Sequence, residues 1–276
     1  MFPIVTIFGR EFATYALAAT AGILASGFYA CRNAKKLNIN QNNIIMTAIF
    51  GMAGALIGSH LLYAMTNWSA VYALILHWEK LTSFDEFLQC LMYIFGGAVY
   101  YGGLLAGIMT GWIYMKRKKL DTRVCSDILA PAIPLFHAFG RVGCFFAGCC
   151  YGVPGKFGFV FYNSPLPEAN GVVRFPVQLL EAAIELIIFL LLDRMLKKGD
   201  GRGSFLKIYL GLYAFVRFFL EYLRGDELRG YILGMSTSQF ISLIILAVLL
   251  IKLISERKHA RMRQKRNTIS VSYTHL

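Results

Sequence analysis

Four charge-free runs constrain this chain more than any other feature. Phe12 to Cys31, Leu37 to Trp78, Phe87 to Met115 and Gly230 to Ile251 contain no Asp, Glu, Lys or Arg. A helix needs about 20 residues to cross the hydrocarbon core of a bilayer, and each run reaches that length. Three further apolar segments, at roughly 128–150, 176–193 and 205–223, carry only a few charges. None of them alternates in the manner of a strand, so helices rather than a closed barrel should satisfy the backbone in lipid. The expected fold is an all-α integral membrane protein of about seven transmembrane helices. A charged fraction of 16%, against about 25% in water-soluble domains, and a mean hydropathy of +0.55 agree with this.

The net charge of +13 would suit a nucleic-acid binder, but its distribution excludes that partner. Basic residues crowd into alternate loops: Arg32, Lys35 and Lys36; Lys116 to Lys119 and Arg123; Arg194, Lys197, Lys198, Arg202 and Lys207; and the stretch from Lys252 to Arg266. The intervening loops hold only Arg10, Lys80, Lys156, Arg174, Arg224 and Arg229. Basic loops stay cytoplasmic, so the N-terminus is expected outside and the C-terminus inside. The start of the chain lacks a basic n-region and an A-x-A-type cleavage site, so the first span reads as a retained helix. Residues 1–266 read as a single polytopic domain and 267–276 as a tail. Within that tail, Ser270 to Leu276 match a translated sequencing adapter and are set aside as an assembly scar. The segment 151–175, rich in Pro and Gly, should form a small outer head. Its alternating piece Lys156 to Phe161 is expected to pair as a short hairpin.

Chemistry concentrates at a few polar residues inside apolar segments. Arg141 lies deep in one, where a guanidinium costs about 2.5–3.5 kcal/mol on insertion scales. It should face the bundle interior and meet an anion or carbonyl groups; snorkelling to the interface is the competing reading. His137, four residues earlier, shares its helical face. Tyr213, Arg217, Glu221 and Arg224 are spaced to line one face of another helix. Glu221 would neutralise one arginine and leave net positive charge beside a phenol; a structural ion pair is the alternative. Gln178, Glu181 and Glu185 share a third face, on a helix that starts near Pro176. Paired arginines hold phosphate bidentately and stabilise charge on a leaving phosphoryl oxygen. In a bilayer the available phosphate is a phospholipid headgroup. Gly54 and Gly58, and Gly103, Gly107 and Gly111, form small-residue ladders that suit close helix packing. Cys144, Cys149 and Cys150 cluster near the end of the Arg141 segment, without a fourth ligand or a His-x-x-His at zinc spacing. Inert thiols are the simplest reading, with a Cys149–Cys150 disulfide or a reactive thiol as alternatives.

Read together, several of these segments resemble the prolipoprotein diacylglyceryl transferase family. Gly140-Arg141-Val142-Gly143, continuing to Tyr151-Gly152, is similar to its signature, and Asp127 to Pro131 precede it as in the family. Tyr101-Gly102-Gly103-Leu104 resembles a His-Gly-Gly-Leu segment, and Phe175 to Glu181 a His-Pro-Ser-Gln-Leu-Tyr-Glu segment. Tyr213 to Arg217, with Glu221 and Arg224, are similar to a Tyr-Gly-Ala-Phe-Arg…Glu-Phe-Phe-Arg helix, and Tyr15 sits at a first-helix tyrosine. The order and spacing hold across residues 12–255. Tyr101 stands where the family has histidine, and Cys144, Ala147 and Cys149 where it has Asn, Asn and Glu.

The resemblance implies transfer of a diacylglyceryl group from phosphatidylglycerol to the lipobox cysteine of a prolipoprotein signal peptide, in the bacterial inner membrane. It casts Arg141, Arg217 and Tyr101 as catalytic. It casts Tyr15, Gly102, Gly103, Gly143, Gly152, Gln178, Glu181, Tyr213, Glu221 and Arg224 as substrate-binding, with His137 a candidate proton acceptor. Neither a metal nor an organic cofactor is implied. A transferase with another acceptor, and a non-enzymatic lipid-binding or transport protein, remain the alternatives.

Overall fold

The computed structural model describes residues 2–76, 83–199, 203–226 and 231–273. A surface hairpin, β1 (Ile4–Ile7) with β2 (Arg10–Ala13), leads into α1 (Thr14–Lys36), α2 (Gln41–Thr66) and α3 (Trp68–Leu76). Then come α4 (Phe84–Phe95), α5 (Tyr100–Arg117), α6 (Thr122–Leu129) and α7 (Ala132–Ala147). Strands β3 (Pro154–Val160) and β4 (Val173–Arg174) precede α8 (Val177–Lys198) and α9 (Phe205–Leu220). A small hairpin, β5 (Tyr231–Ile232) with β6 (Met235–Ser236), precedes α10 (Thr237–Tyr273). Of the tail set apart by sequence, residues 270–273 continue α10 and 274–276 lie outside the described residues, as do Lys80, Arg202 and Arg229.

Among the described residues, 14–36, 41–66, 122–147 and 237–258 are long and apolar enough to cross a membrane, and α4 with α5 makes a fifth candidate bent by 88°. The sequence reading treats 87–115 as one straight span; the structure breaks it. Gly96 and Gly97 sit at the break, and His60 reaches across from α2 to place Nδ1 2.7 Å from the Phe95 carbonyl and 2.9 Å from that of Gly97. One imidazole N–H thus serves carbonyls that the interrupted helix no longer pairs. Apolar side chains such as Leu24, Phe28, Leu56, Ile57, Ile187 and Ile251 are exposed on the helix surfaces. Such a surface is stable against lipid, not water. The protein is a mostly helical membrane protein.

Helix packing follows the small residues. Along the α2–α5 seam, a Cβ added at Gly102 would stand 2.4 Å from the Gly58 carbonyl oxygen, and one at Gly58 2.5 Å from that of Gly102. Lipid supplies no hydrophobic drive between helices, so backbone approach of this kind is what holds them. Elsewhere α1 packs on α7, α7 on α8 and α9 on α10. Asp127 accepts from the Phe205 amide at 3.1 Å and so caps the start of α9. The alternating piece 156–161 does pair, but not as a short hairpin. Instead β3 pairs antiparallel with β4, twelve or more residues on, around Arg174. The Arg174 guanidinium lies 4.2 Å over the Tyr151 ring and donates to the carbonyls of Gly152, Glu168 and Ala169. This buried arginine ties the head together.

Candidate functional site

The polar residues picked out by sequence converge between α7, α8, α9 and α10. Arg141 and Arg217 project from α7 and α9, and Glu181 projects from α8 between them. Arg141 Nη2 is 2.9 Å from Glu181 Oε1, and Arg217 Nη1 is 3.7 Å from Glu181 Oε2. Arg217 Nη2 pairs with Glu221 at 2.7 Å and donates to Ser238 Oγ at 3.3 Å. All three central side chains are buried, with Glu181 only 1% exposed.

His137 extends the network one turn along α7. Arg141 Nε donates to its Nε2 at 3.2 Å, so the ring proton lies on Nδ1, which donates to Glu185 at 2.9 Å. Both ring nitrogens are engaged, and in this arrangement the imidazole orients Arg141. Tyr100 stacks on the ring at 4.1 Å with 14° between planes, and its hydroxyl pairs with that of Tyr209 at 2.9 Å.

Buried at this centre without a hydrogen-bond partner among the described residues are the Tyr213 hydroxyl, Arg217 Nη1 and Gln178 Oε1, along with Glu185 Oε2 and the two Glu181 oxygens, which meet the guanidiniums as ion pairs. Gln178 is oriented by its other atom, Nε2, which donates to the Cys149 carbonyl at 2.8 Å. Buried polar groups are rarely left unmatched. The Tyr213 and Arg217 donors and the Gln178 acceptor, carried on α9 and α8, suit a ligand with anionic oxygens and a hydroxyl group, provided it displaces Glu181 from a guanidinium.

The family model for prolipoprotein diacylglyceryl transferase matches residues 3–255. The chain belongs to that family. It is 32% identical over 244 residues to the phosphatidylglycerol–prolipoprotein diacylglyceryl transferase of Clostridium tetani, covering 88% of this chain and 92% of that one. It is 31% identical to the enzyme of the same name from Finegoldia magna, covering 87% and 90%. It is 28% identical to the second such transferase of Clostridium perfringens, covering 87% and 89%.

Within this diacylglyceryl transferase family member, the other residues named from sequence fall into distinct places. Tyr15, at the start of α1, is partly exposed beside Gly143, where a Cβ would come within 3.3 Å of its ring. Gly143 is therefore where α1 crosses α7. Gly102 and Gly103 face α2, and a Cβ on Gly152 would stand 2.2 Å from the Phe175 carbonyl oxygen. These glycines let backbones meet around the site. Arg224 departs from expectation. α9 ends at Leu220 and tightens into a 3-10 turn over Glu221–Leu223, so Arg224 leaves the Tyr213–Arg217–Glu221 face. It forms a β-bridge with Gly152 and a two-pronged pair with Asp226 at 2.9 and 3.1 Å. The expected excess of positive charge is also absent. Glu181 and Glu221 offset Arg141 and Arg217, because an unmatched buried guanidinium would cost several kcal/mol, ~3–5 by comparison with broken buried pairs.

Tyr101 is buried, with its hydroxyl 2.6 Å from Ser242 Oγ. Ser242 donates its own hydrogen to the Ser238 carbonyl at 2.7 Å, so Tyr101 is the donor of the shared bond. Its proton is committed to α10, the helix whose Ser238 touches Arg217. Sequence reasoning missed Ser238, Ser242 and Tyr100. Two serines four apart in a charge-free run were the available signal for the first two. Tyr101→Phe should lower stability by about 0.5–1.5 kcal/mol, the worth of one neutral hydrogen bond, and lower transfer less than about tenfold. Thermal denaturation and initial rates on the purified variant check this. A larger loss of rate at unchanged stability would place the hydroxyl on the substrate.

Proposed function

We propose that this chain transfers the diacylglyceryl group of phosphatidylglycerol to the lipobox cysteine thiol of prolipoproteins, at the Arg141–Glu181–Arg217 centre. The observation that carries this is the set of unmatched buried groups beside two arginines: Tyr213, Arg217 and Gln178. Phosphate oxygens would take the Tyr213 and Arg217 donors, and a glycerol hydroxyl would donate to Gln178. With the guanidiniums balanced by Glu181 and Glu221, the headgroup enters by taking the place of Glu181 on a guanidinium. The thiol sulfur attacks the glyceryl carbon. The S–C bond forms as the C–O bond to phosphate breaks, and glycerol phosphate departs with the electron pair. The thiol proton passes to the freed phosphate oxygen; His137, the proton acceptor expected from sequence, has both ring nitrogens engaged and orients Arg141 instead. Arg141 and Arg217 stabilise the charge that grows on the leaving oxygen. Tyr15 lies beside Gly143 where α1 crosses α7, Tyr101 acts through α10, and Glu221 and Arg224 hold the end of α9.

The remaining architecture belongs to the same reading. Residues 1–266 form one polytopic domain of the bacterial inner membrane. α8 and α9 complete seven spans with the five candidates above; α8 carries Gln178, Glu181 and Glu185 inward, which lowers its hydropathy without exposing charge to lipid. The basic bias places the N-terminus outside and the loop 116–126 inside. Cysteine labelling of intact cells should modify Lys156→Cys and spare Lys118→Cys; outer labelling at position 118 would invert the topology. The activity itself is tested by mass spectrometry of a lipobox peptide incubated with purified protein and phosphatidylglycerol. A diacylglyceryl adduct on the cysteine is expected. Consumption of the lipid without that adduct would point to another acceptor.

A further inference from the structure

One cluster of chemically capable side chains is left unused by the transfer reaction. The sulfurs of Cys144, Cys149 and Cys150 lie within 4.8 Å of one another. Cys144 is on the last turn of α7. Gly148 ends that helix in the left-handed conformation at φ 76°, and Cys150 is itself left-handed at φ 53°. A non-glycine residue rarely adopts that conformation, and where one does the surrounding structure imposes it. The effect of the two reversals is to fold the chain back over the helix end. The Cys149 amide returns to the Cys144 carbonyl at 3.1 Å, and Gln178 pins the Cys149 carbonyl. Three thiols from a seven-residue stretch are thereby brought to one point.

We propose that Cys144, Cys149 and Cys150 form a binding site for a soft, thiophilic metal ion of the d10 class at the C-terminal end of α7. A metal–sulfur bond of about 2.3 Å places the sulfurs of a trigonal or tetrahedral site roughly 3.8–4.0 Å apart. The observed cluster reaches this with side-chain adjustment of less than about 1 Å. No imidazole or carboxylate joins the group among the described residues. An all-thiolate set of three selects soft ions such as Cu(I) or Zn(II) over hard ones. Three thiolates leave an occupied site negatively charged, and the guanidiniums of Arg141 and Arg224, though each is paired with a carboxylate, lie close enough to act electrostatically on Cys144 and Cys150. Cys149 and Cys150 are partly exposed, which gives an ion a way in. Cys31, Cys90 and Cys125 lie outside the group. The site stands independently of the transferase reading, since it needs only these thiols.

Cadmium(II) serves as the probe, added to the purified full-length protein in detergent. The expected result is one ion per chain, with a sulfur-to-metal charge-transfer absorption. Peptide mapping should show Cys144, Cys149 and Cys150 protected from maleimide while Cys31 and Cys90 still react. Cys144→Ser should weaken binding by more than the about 10–100-fold that loss of a supporting residue costs; Cys125→Ser should leave it unchanged. The native-chain protection experiment does not depend on any variant folding. Unaltered maleimide labelling at the three positions with stoichiometric cadmium overturns the proposal. So does a disulfide between any two of them in protein isolated without added oxidant.

Discussion

Arg217→Lys should lower diacylglyceryl transfer by about 10²–10³-fold, the usual loss when one preorganised donor to a developing oxyanion is removed. Membrane insertion and helix content should be unchanged, because the substitution keeps the charge. What it loses is the planar fork. Arg217 reaches Glu221 and Ser238 with Nη2 while Nη1 stands 3.7 Å from Glu181 with no hydrogen-bond partner among the described residues. A lysine ammonium is a single point on a flexible stem and cannot hold the Glu221 contact and present a second N–H in a fixed direction. The measurement is initial rate of transfer to a lipobox peptide, alongside circular dichroism of the purified variant. A variant with parental turnover would reduce Arg217 to a structural ion pair.

Glu181→Gln carries the largest expected effect on stability. This carboxylate is 1% exposed and stands between Arg141 and Arg217. Neutralising it leaves like charges facing each other in a buried, low-dielectric place, at a cost of about 3–5 kcal/mol. The same change frees both guanidiniums for an incoming phosphate. Thermal denaturation in detergent should therefore show a large loss that added phosphatidylglycerol partly reverses. The lipid should stabilise the variant more than the parent, because binding to the folded state raises stability by mass action. Equal stabilisation of both by the lipid would mean that phosphate and Glu181 do not compete for the arginines.

Much of the centre was legible because charge is rare inside these segments. Arg141, Arg217, Glu181 and Glu185 stand out against apolar neighbours, and helical spacing alone joins His137 to Arg141 and Tyr213 to Arg217 to Glu221. Spacing failed where the helix did. Counting turns puts Arg224 on that face, but α9 gives way to a 3-10 turn at Glu221 and the chain bridges to Gly152. The 87–115 run failed in the same way, since Gly96 and Gly97 interrupt it and His60 meets the freed carbonyls from another helix. Sequence resemblance points Tyr101 at substrate; the donor order through Ser242 and Ser238 turns its proton toward α10.

The amino-acid sequence by itself determined that this chain is helical and lives in a membrane, and which buried charges require partners. Both follow from local composition: long apolar runs leave the backbone no other way to pair in lipid, and a charge within one demands compensation. Only the tertiary structure decided which partners meet. That Glu181 serves both arginines, that His137 bridges Arg141 to Glu185, and that three cysteines share one point depend on how α7, α8 and α9 pack and how the chain reverses at Gly148 and Cys150. Contacts between segments far apart in the chain are set by that packing, which no local pattern records.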